Sequence, residues 1–368
     1  PEMQKLLRGM GRYLYPPLLA FLLLPLAGME YEPAAYLFQL LSCLSLGVVF
    51  GYFYRQGKRP RLAVGALALS TMLSFNFLLG NVDNGNIGFF LILLCGVGLL
   101  FSFSGRRDLA WLGGAMLGLA TVLKVAPIFL GLFLLAGRRF HALTGAILAG
   151  LLALIAPALF LGMEQNLFLL ESWYELLIKS FSQEAIVRPW LNNQSLSAAI
   201  GKLILPGADL KQGAYGLPFI FSAERFPTRT EGDQIRLVVR VFQTALMVLP
   251  VGFALLFLLR RKKMEMYHRG SLDLLWLIML VSLIASGVSW FHTFSILWIP
   301  LFLRAYLFLE GEELGKGEWF FTAVLFLFGF LFAFLPASMR EPLAIYSILT
   351  WCCLIFICYT SWKLVRGI

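Results

Sequence analysis

The chain has 368 residues, of which 60% are hydrophobic and only 14% charged, a balance that excludes a soluble globular domain and points to a polytopic helical membrane protein. Its net charge of +10 is not a nucleic-acid signal, because the basic residues gather in short clusters between apolar runs: Arg55/Lys58/Arg59/Arg61, Arg106/Arg107, Arg138/Arg139 and Arg260/Arg261/Lys262/Lys263. That is the pattern of cytoplasmic loops under the positive-inside rule. The five cysteines (Cys43, Cys95, Cys352, Cys353, Cys358) all fall in apolar runs and suggest neither a disulfide nor a metal site.

In chain order, Lys5, Arg8 and Arg12 precede an apolar segment, 13–29, that contains Pro16, Pro17 and Pro25. Its prolines favour a juxtamembrane helix at the outer surface over a span. Membrane segments are then expected at about 33–54, 62–80, 87–104, 109–123, 125–137, 142–162, 235–259, 271–290, 293–309, 319–336 and 343–362. These make an all-α bundle of about 11 transmembrane helices, a single integral domain over residues 1–368, with an interfacial helix near the N-terminus. Eleven spans with Lys363 and Arg366 inside put residue 1 outside, so a preceding helix and loop are expected upstream of Pro1. If 13–29 spans instead, the N-terminus lies inside and no such helix is required.

The apolar run Leu109–Gly137 decides the topology. It carries one charge, Lys124, and is long for one span but short for two. As a single span it would put Arg138/Arg139 on the side opposite Arg106/Arg107. As a hairpin of two short helices it brings all four basic clusters to one side. Pro127 supports a break there. Lys124 then sits at a hairpin tip on the extracytoplasmic side.

The same parity places Asn81–Asn86, the loop 163–234, the neighbourhood of His292 and Ser338–Glu341 outside. The loop 163–234 holds six Lys/Arg against eight Asp/Glu, unlike the basic loops, which fits that side. It opens with NLFLLESWYELLIKSF, apolar at helical spacing, with Trp173 and Tyr174 suited to a headgroup belt.

Polar residues at helix mouths are the candidate site. Asp83-Asn84-Gly85-Asn86 reads as a turn or as a sugar- or phosphate-contacting corner at a helix N-terminus. Lys124 is either a snorkelling structural lysine or a cation facing a phosphate or pyrophosphate leaving group. Arg188-Pro-Trp-Leu-Asn-Asn-Gln-Ser-Leu, ending at Leu196, is by composition a polar loop, yet offers donors and acceptors for a hydroxyl-rich ligand. His292, in Ser289-Trp290-Phe291-His292, is an interfacial histidine or a base and phosphate contact. There is no P-loop, no His/Cys/carboxylate cluster at metal spacing and no internal repeat.

These islands together resemble glycosyltransferase family 87, a polyprenyl-phosphate-mannose-dependent family with the GT-C fold. Tyr15-Pro-Pro-Leu resembles its YPP helix, and Asn84-Gly-Asn-Ile its GQ-x-N turn, with Asn86 in place of Gln and Gly88 where Asn is usual. Leu123-Lys-Val-Ala-Pro127 resembles its LK-x-x-P hairpin. Trp173/Tyr174 followed by Asn193-Gln-Ser-Leu resembles its external loop, and Ser289-Trp-Phe-His292 its SW-x-H turn.

The resemblance implies a GT-C-like bundle in the cell membrane of a bacterium. It implies transfer of a hexose, mannose by family, from a polyprenyl-phosphate donor to a lipid or glycan acceptor on the extracytoplasmic side, with inversion. Lys124 would bind the donor phosphate and His292 would contact phosphate or act as a base. Tyr15, Asn84, Asn86, Arg188, Asn193, Gln194 and Ser195 would orient donor phosphate or sugar. The family's catalytic aspartate lies in a loop before the YPP helix. No Asp precedes Asp83 here, so Asp83 is the substitute carboxylate, ahead of Glu164 and Glu171. No cofactor, no metal-ligating cluster and no nucleic-acid partner is expected, and the sequence does not decide whether a divalent metal is needed. The rival readings are a lipid-linked saccharide transporter or flippase, and a truncated, inactive paralogue that binds polyprenyl phosphate.

Overall fold

A computed structural model describes residues 15–179, 191–204, 229–260 and 264–367. The described chain is helical. Two short turns, α1 (Pro17–Leu22) and Leu24–Leu26, precede the long helix α2 (Tyr31–Gln56). Then follow α3 (Pro60–Leu73), α4 (Phe75–Asp83), α5 (Gly88–Ser102), α6 (Arg107–Leu123), α7 (Leu130–Ala136) and α8 (Phe140–Ile155). The segment 163–234 contributes α9 (Met163–Trp173) and α10 (Leu196–Ile204). The second half holds α11 (Arg229–Leu259), α12 (Arg269–Ile284), α13 (Trp298–Leu309), α14 (Lys316–Leu325), α15 (Ala337–Ile345) and α16 (Ile348–Gly367). Among the described residues, six helices are long and apolar enough to cross a bilayer, or seven if the bent pair α3–α4 is one span. The other expected spans are shorter or broken helices.

α12 forms the centre of the bundle and is buried at every position from Ser271 to Ile284. Trp298, at the start of α13, is fully buried against Phe50, Phe53 and Phe302. The expected span 62–80 is not one straight helix. It bends by 64° between α3 and α4, where Ser70 and Ser74 donate their hydroxyls back to the carbonyls of Ala66 and Ser70. Such back-bonding at i−4 loosens the helical ladder. α4 then continues through Asp83, so the expected loop at 81–86 contracts to a tight turn with Gly85 at φ +56°.

The run 109–137 is a hairpin. Gly114 on α6 meets Ala142 on α8, Gly118 meets Ala146, and Val122 meets Gly150. The numbers rise together, so α6 and α8 run parallel and the chain between them must run back. Phe103 at the end of α5 packs on Phe133 at 5.2 Å, and the Arg139 guanidinium lies 4.5 Å from the Phe103 ring. The Arg106/Arg107 and Arg138/Arg139 ends therefore coincide, as the charge argument requires. The same end gathers Arg59, whose N–H donates to Tyr306 Oη, and Met264, whose carbonyl accepts from Arg139.

This basic end is also cross-linked by buried ion pairs. Arg304 Nε donates to Glu318 Oε1 at 2.8 Å, Arg269 reaches Glu318 at 3.2 Å, and Lys363 meets Asp273 at 2.8 Å. One network thus joins α12, α13, α14 and α16. The opposite end of the bundle holds the polar islands.

Candidate functional site

α6 stops at Leu123, and Lys124 adopts an extended conformation (φ −154°) before the 3-10 turn Ala126–Phe129. Pro127, which has no N–H to give, makes continuation of the helix unfavourable. The side chain of Lys124 is half-buried. Among the described residues its ammonium has neither a hydrogen-bond acceptor nor a carboxylate partner. It lines a cavity of about 20 Å³ with Asn81, Gly88, Ser282, His292 and Ser295. That is the scale of a single water. Burial pushes Lys124 from its ordinary value down to about 8.

His292 is held from two sides by the corner between α4 and α5. Asn81 Nδ2 donates to His292 O at 3.2 Å and to Phe77 O at 2.9 Å. Gly80 lies against the His292 Cβ, where a methyl group would come within 3.2 Å. Asn86 Nδ2 stands 3.0 Å from His292 Nε2 and 3.2 Å from Tyr15 Oη. With that amide donating, Nε2 accepts and the ring proton lies on Nδ1. The carbonyl oxygens Asn81 Oδ1 and Asn86 Oδ1 are both buried and, among the described residues, have no partner. α5 begins at Gly88, which lines the same cavity, and the first amides of a helix have no acceptor within it. An unpaired ammonium, a helix N-terminus and unmet carbonyl oxygens are complementary to a ligand carrying both an anion and hydroxyl donors.

Tyr15, Asn86, Lys124 and His292 are thus brought together from four distant stretches of chain. The other expected residues are placed differently. Asp83 is exposed on the last turn of α4 and does not line the cavity, because the helix continues through it. Asn84 is exposed too, its Nδ2 turned back onto Gly80 O. Arg188 lies outside the described residues.

Asn193, Gln194 and Ser195 are at the same end of the bundle as the cavity but have no exposed surface, and their side chains are engaged with neighbouring chain segments. Asn193 pairs in a bridge with Trp290, donates from Nδ2 to Gly287 O, and accepts at Oδ1 from Ser289 N. Gln194 N donates to Ser289 O at 2.6 Å, and its side chain donates to Ala344 O. Ser195 Oγ accepts from Ala198 N and so caps α10. Most of their polar atoms engage backbone groups; Ser195 Oγ also lies 3.1 Å from Ser197 Oγ, and Gln194 Oε1 is buried and, among the described residues, has no partner. Two participants were missed from the sequence. Asn81 looked like the first residue of a polar loop, and Lys202 like one of several loop lysines.

Compared with known proteins, the chain matches the profile of glycosyltransferase family 87 over residues 13–287. No curated protein and no solved structure matches it significantly. The family match covers well over half of the chain and spans the Tyr15, Asn86 and Lys124 islands. Together with the apolar helices and a cation-bearing cavity at one end of the bundle, it establishes that the chain belongs to glycosyltransferase family 87 and is a membrane glycosyltransferase.

Proposed function

We propose that the chain transfers a hexose, with mannose the leading candidate, from a polyprenyl-phosphate donor to a lipid or glycan acceptor on the extracytoplasmic side. The observation that carries this reading is the unpartnered Lys124 ammonium in the cavity it shares with His292 and the start of α5. An unpaired cation within a membrane protein is costly, on the order of 2.5–3.5 kcal/mol at a helix centre. An anionic ligand offsets that cost. The cavity of about 20 Å³ admits one phosphate oxygen, so the hexose and the lipid would be read outside it. The sidedness is supported by the basic clusters, which collect at the opposite end of the bundle.

In the proposed reaction the acceptor oxygen bonds to the anomeric carbon as the bond from that carbon to the phosphate oxygen breaks. A single displacement inverts the centre. The departing phosphate takes the electron pair, and Lys124 stabilises the added negative charge. His292, steadied by Asn81 at its carbonyl, contacts the phosphate through Nδ1–H, or receives the acceptor proton at Nε2 in exchange for the Asn86 hydrogen bond.

The test is transfer of radiolabel from polyprenyl-phosphate mannose, comparing wild type with Lys124→Ala and His292→Ala. Loss of a charge-stabilising donor predicts a fall in kcat of about 10²–10³ for Lys124→Ala, and His292→Ala should fall by about 10² or more. Full activity in both variants beside an active wild type would remove the site. A wild type inert toward every polyprenyl-phosphate sugar would remove the function.

A further inference from the structure

Lys202, on α10, is only 1% exposed, and among the described residues no carboxylate accompanies it. Its Nζ is instead surrounded by oxygens: Leu191 O at 3.0 Å, Asn193 O at 2.7 Å, Ala344 O at 2.9 Å and Ser347 Oγ at 3.0 Å. Four acceptors around three ammonium protons form a saturated cage of the kind that holds a small cation. Burying a charge without a counter-ion is expensive, and three carbonyl dipoles could be satisfied more cheaply by amides. The charge is therefore tied to what those carbonyls position.

Two strands of contact lead from the cage to the cavity. Asn193 and Gln194 grip Gly287, Ser289 and Trp290, two residues before His292. On the other side, Ala344 and Ser347 form the break between α15 and α16. There Ser347 takes φ +51°, a left-handed conformation uncommon for a residue with a side chain. Thr350 Oγ1 donates back to Gln194 O at 2.8 Å.

We propose that Lys202 is a positioning residue, a tethered cation that clamps the Asn193–Ser195 turn to the α15–α16 break and so fixes the Ser289–Trp290 segment that leads into His292 at the donor cavity. Its effect on catalysis rests on the glycosyl-transfer reading above; the cation cage does not.

Three measurements on the full chain in detergent test this. Lys202→Ala should melt at a lower temperature than wild type. Methylammonium chloride, which restores three N–H donors on a small cation, should raise its midpoint saturably. Tetramethylammonium chloride at equal ionic strength, with charge but no N–H, should not, and wild type should respond to neither. In transfer assays Lys202→Ala should lose at least about tenfold in kcat while the donor KM stays within about twofold, with partial recovery in methylammonium. Ser347→Gly separates positioning from stability. Glycine relieves the left-handed backbone, so the midpoint should hold or rise, yet kcat should fall at least about threefold because one arm of the cage is gone.

A Lys202→Ala protein that folds but ignores methylammonium overturns the cage. If that variant does not fold, Ser347→Gly decides, and wild-type kcat there overturns the positioning role. A wild type with no transfer activity removes the glycosyl-transfer reading alone, since the melting response still reports on the cage.

Discussion

At the scale of single residues, the charge of Lys124 sets the pH behaviour. Burial holds it near 8, so it is mostly protonated below that value and loses its charge as pH rises through it. A phosphodiester donor keeps its single negative charge across the same range. The donor kcat/KM of the wild type should therefore fall about tenfold per unit well above pH 8. In Lys124→Arg the guanidinium stays charged throughout. That variant should be slower, because a planar fork does not fit a cavity of about 20 Å³, but its profile should be flat where the wild type declines. An alkaline limb that survives in Lys124→Arg would assign the titration to another group. Lys124 and His292 were legible in the sequence because each interrupts an apolar run. Asn193–Ser195 were legible only as polar. The same amide and hydroxyl groups read sugars or cap backbone, and only the tertiary packing around Gly287–Trp290 chooses between them. Lys202 left no sequence signal, since its partners are mainly carbonyls.

At the scale of elements, the hairpin that delivers Lys124 depends on close approach of α6 to both neighbours. Side chains at Gly113 would strike Gly98 and Ser102, and at Gly114 and Gly118 the carbonyls of Ala142 and Ala146. Small residues let helix backbones touch in a membrane, where burying apolar surface gives no drive to associate. Gly114→Ala should therefore destabilise by about 1–3 kcal/mol, because the obstacle is backbone and cannot rotate away. Gly51→Ala, in α2, meets nothing within 4 Å and should stabilise by about 0.5–1 kcal/mol through helix propensity. Thermal midpoints in detergent decide. Equal midpoints for the two variants would mean that the α6–α8 contact is looser than described. The hairpin itself could be deduced from charge placement, because Arg138/Arg139 have to share a side with Arg106/Arg107. The bend at Ser74 could not. Serine is common in membrane helices, and its back-bonding bends a helix only where a neighbour accepts the kink, here the backbone of Gly329 against Leu73.

For the whole molecule, the two ends of the bundle differ in charge chemistry. One end carries the arginine clusters and the network of Arg304, Glu318, Asp273 and Lys363. The other carries Lys124 and Lys202, neither of which has a carboxylate partner among the described residues. The positive-inside rule assigns the first end to the cytoplasm; on the proposed reading the cavity then opens on the opposite face, to a donor already carried across on a lipid. On that reading a nucleotide sugar, confined to the cytoplasm, could not reach it. The commitment is testable in intact cells with a membrane-impermeant maleimide, after Cys43, Cys95, Cys352, Cys353 and Cys358 are replaced by alanine. Asn84→Cys, exposed beside the site, should label without permeabilisation. Ser104→Cys, exposed at the Arg106 end, should label only after it. The reverse pattern would turn the bundle over. The cavity would then open where soluble activated sugars are available, and the lipid-phosphate donor would lose its main support even if Lys124 still bound a phosphate.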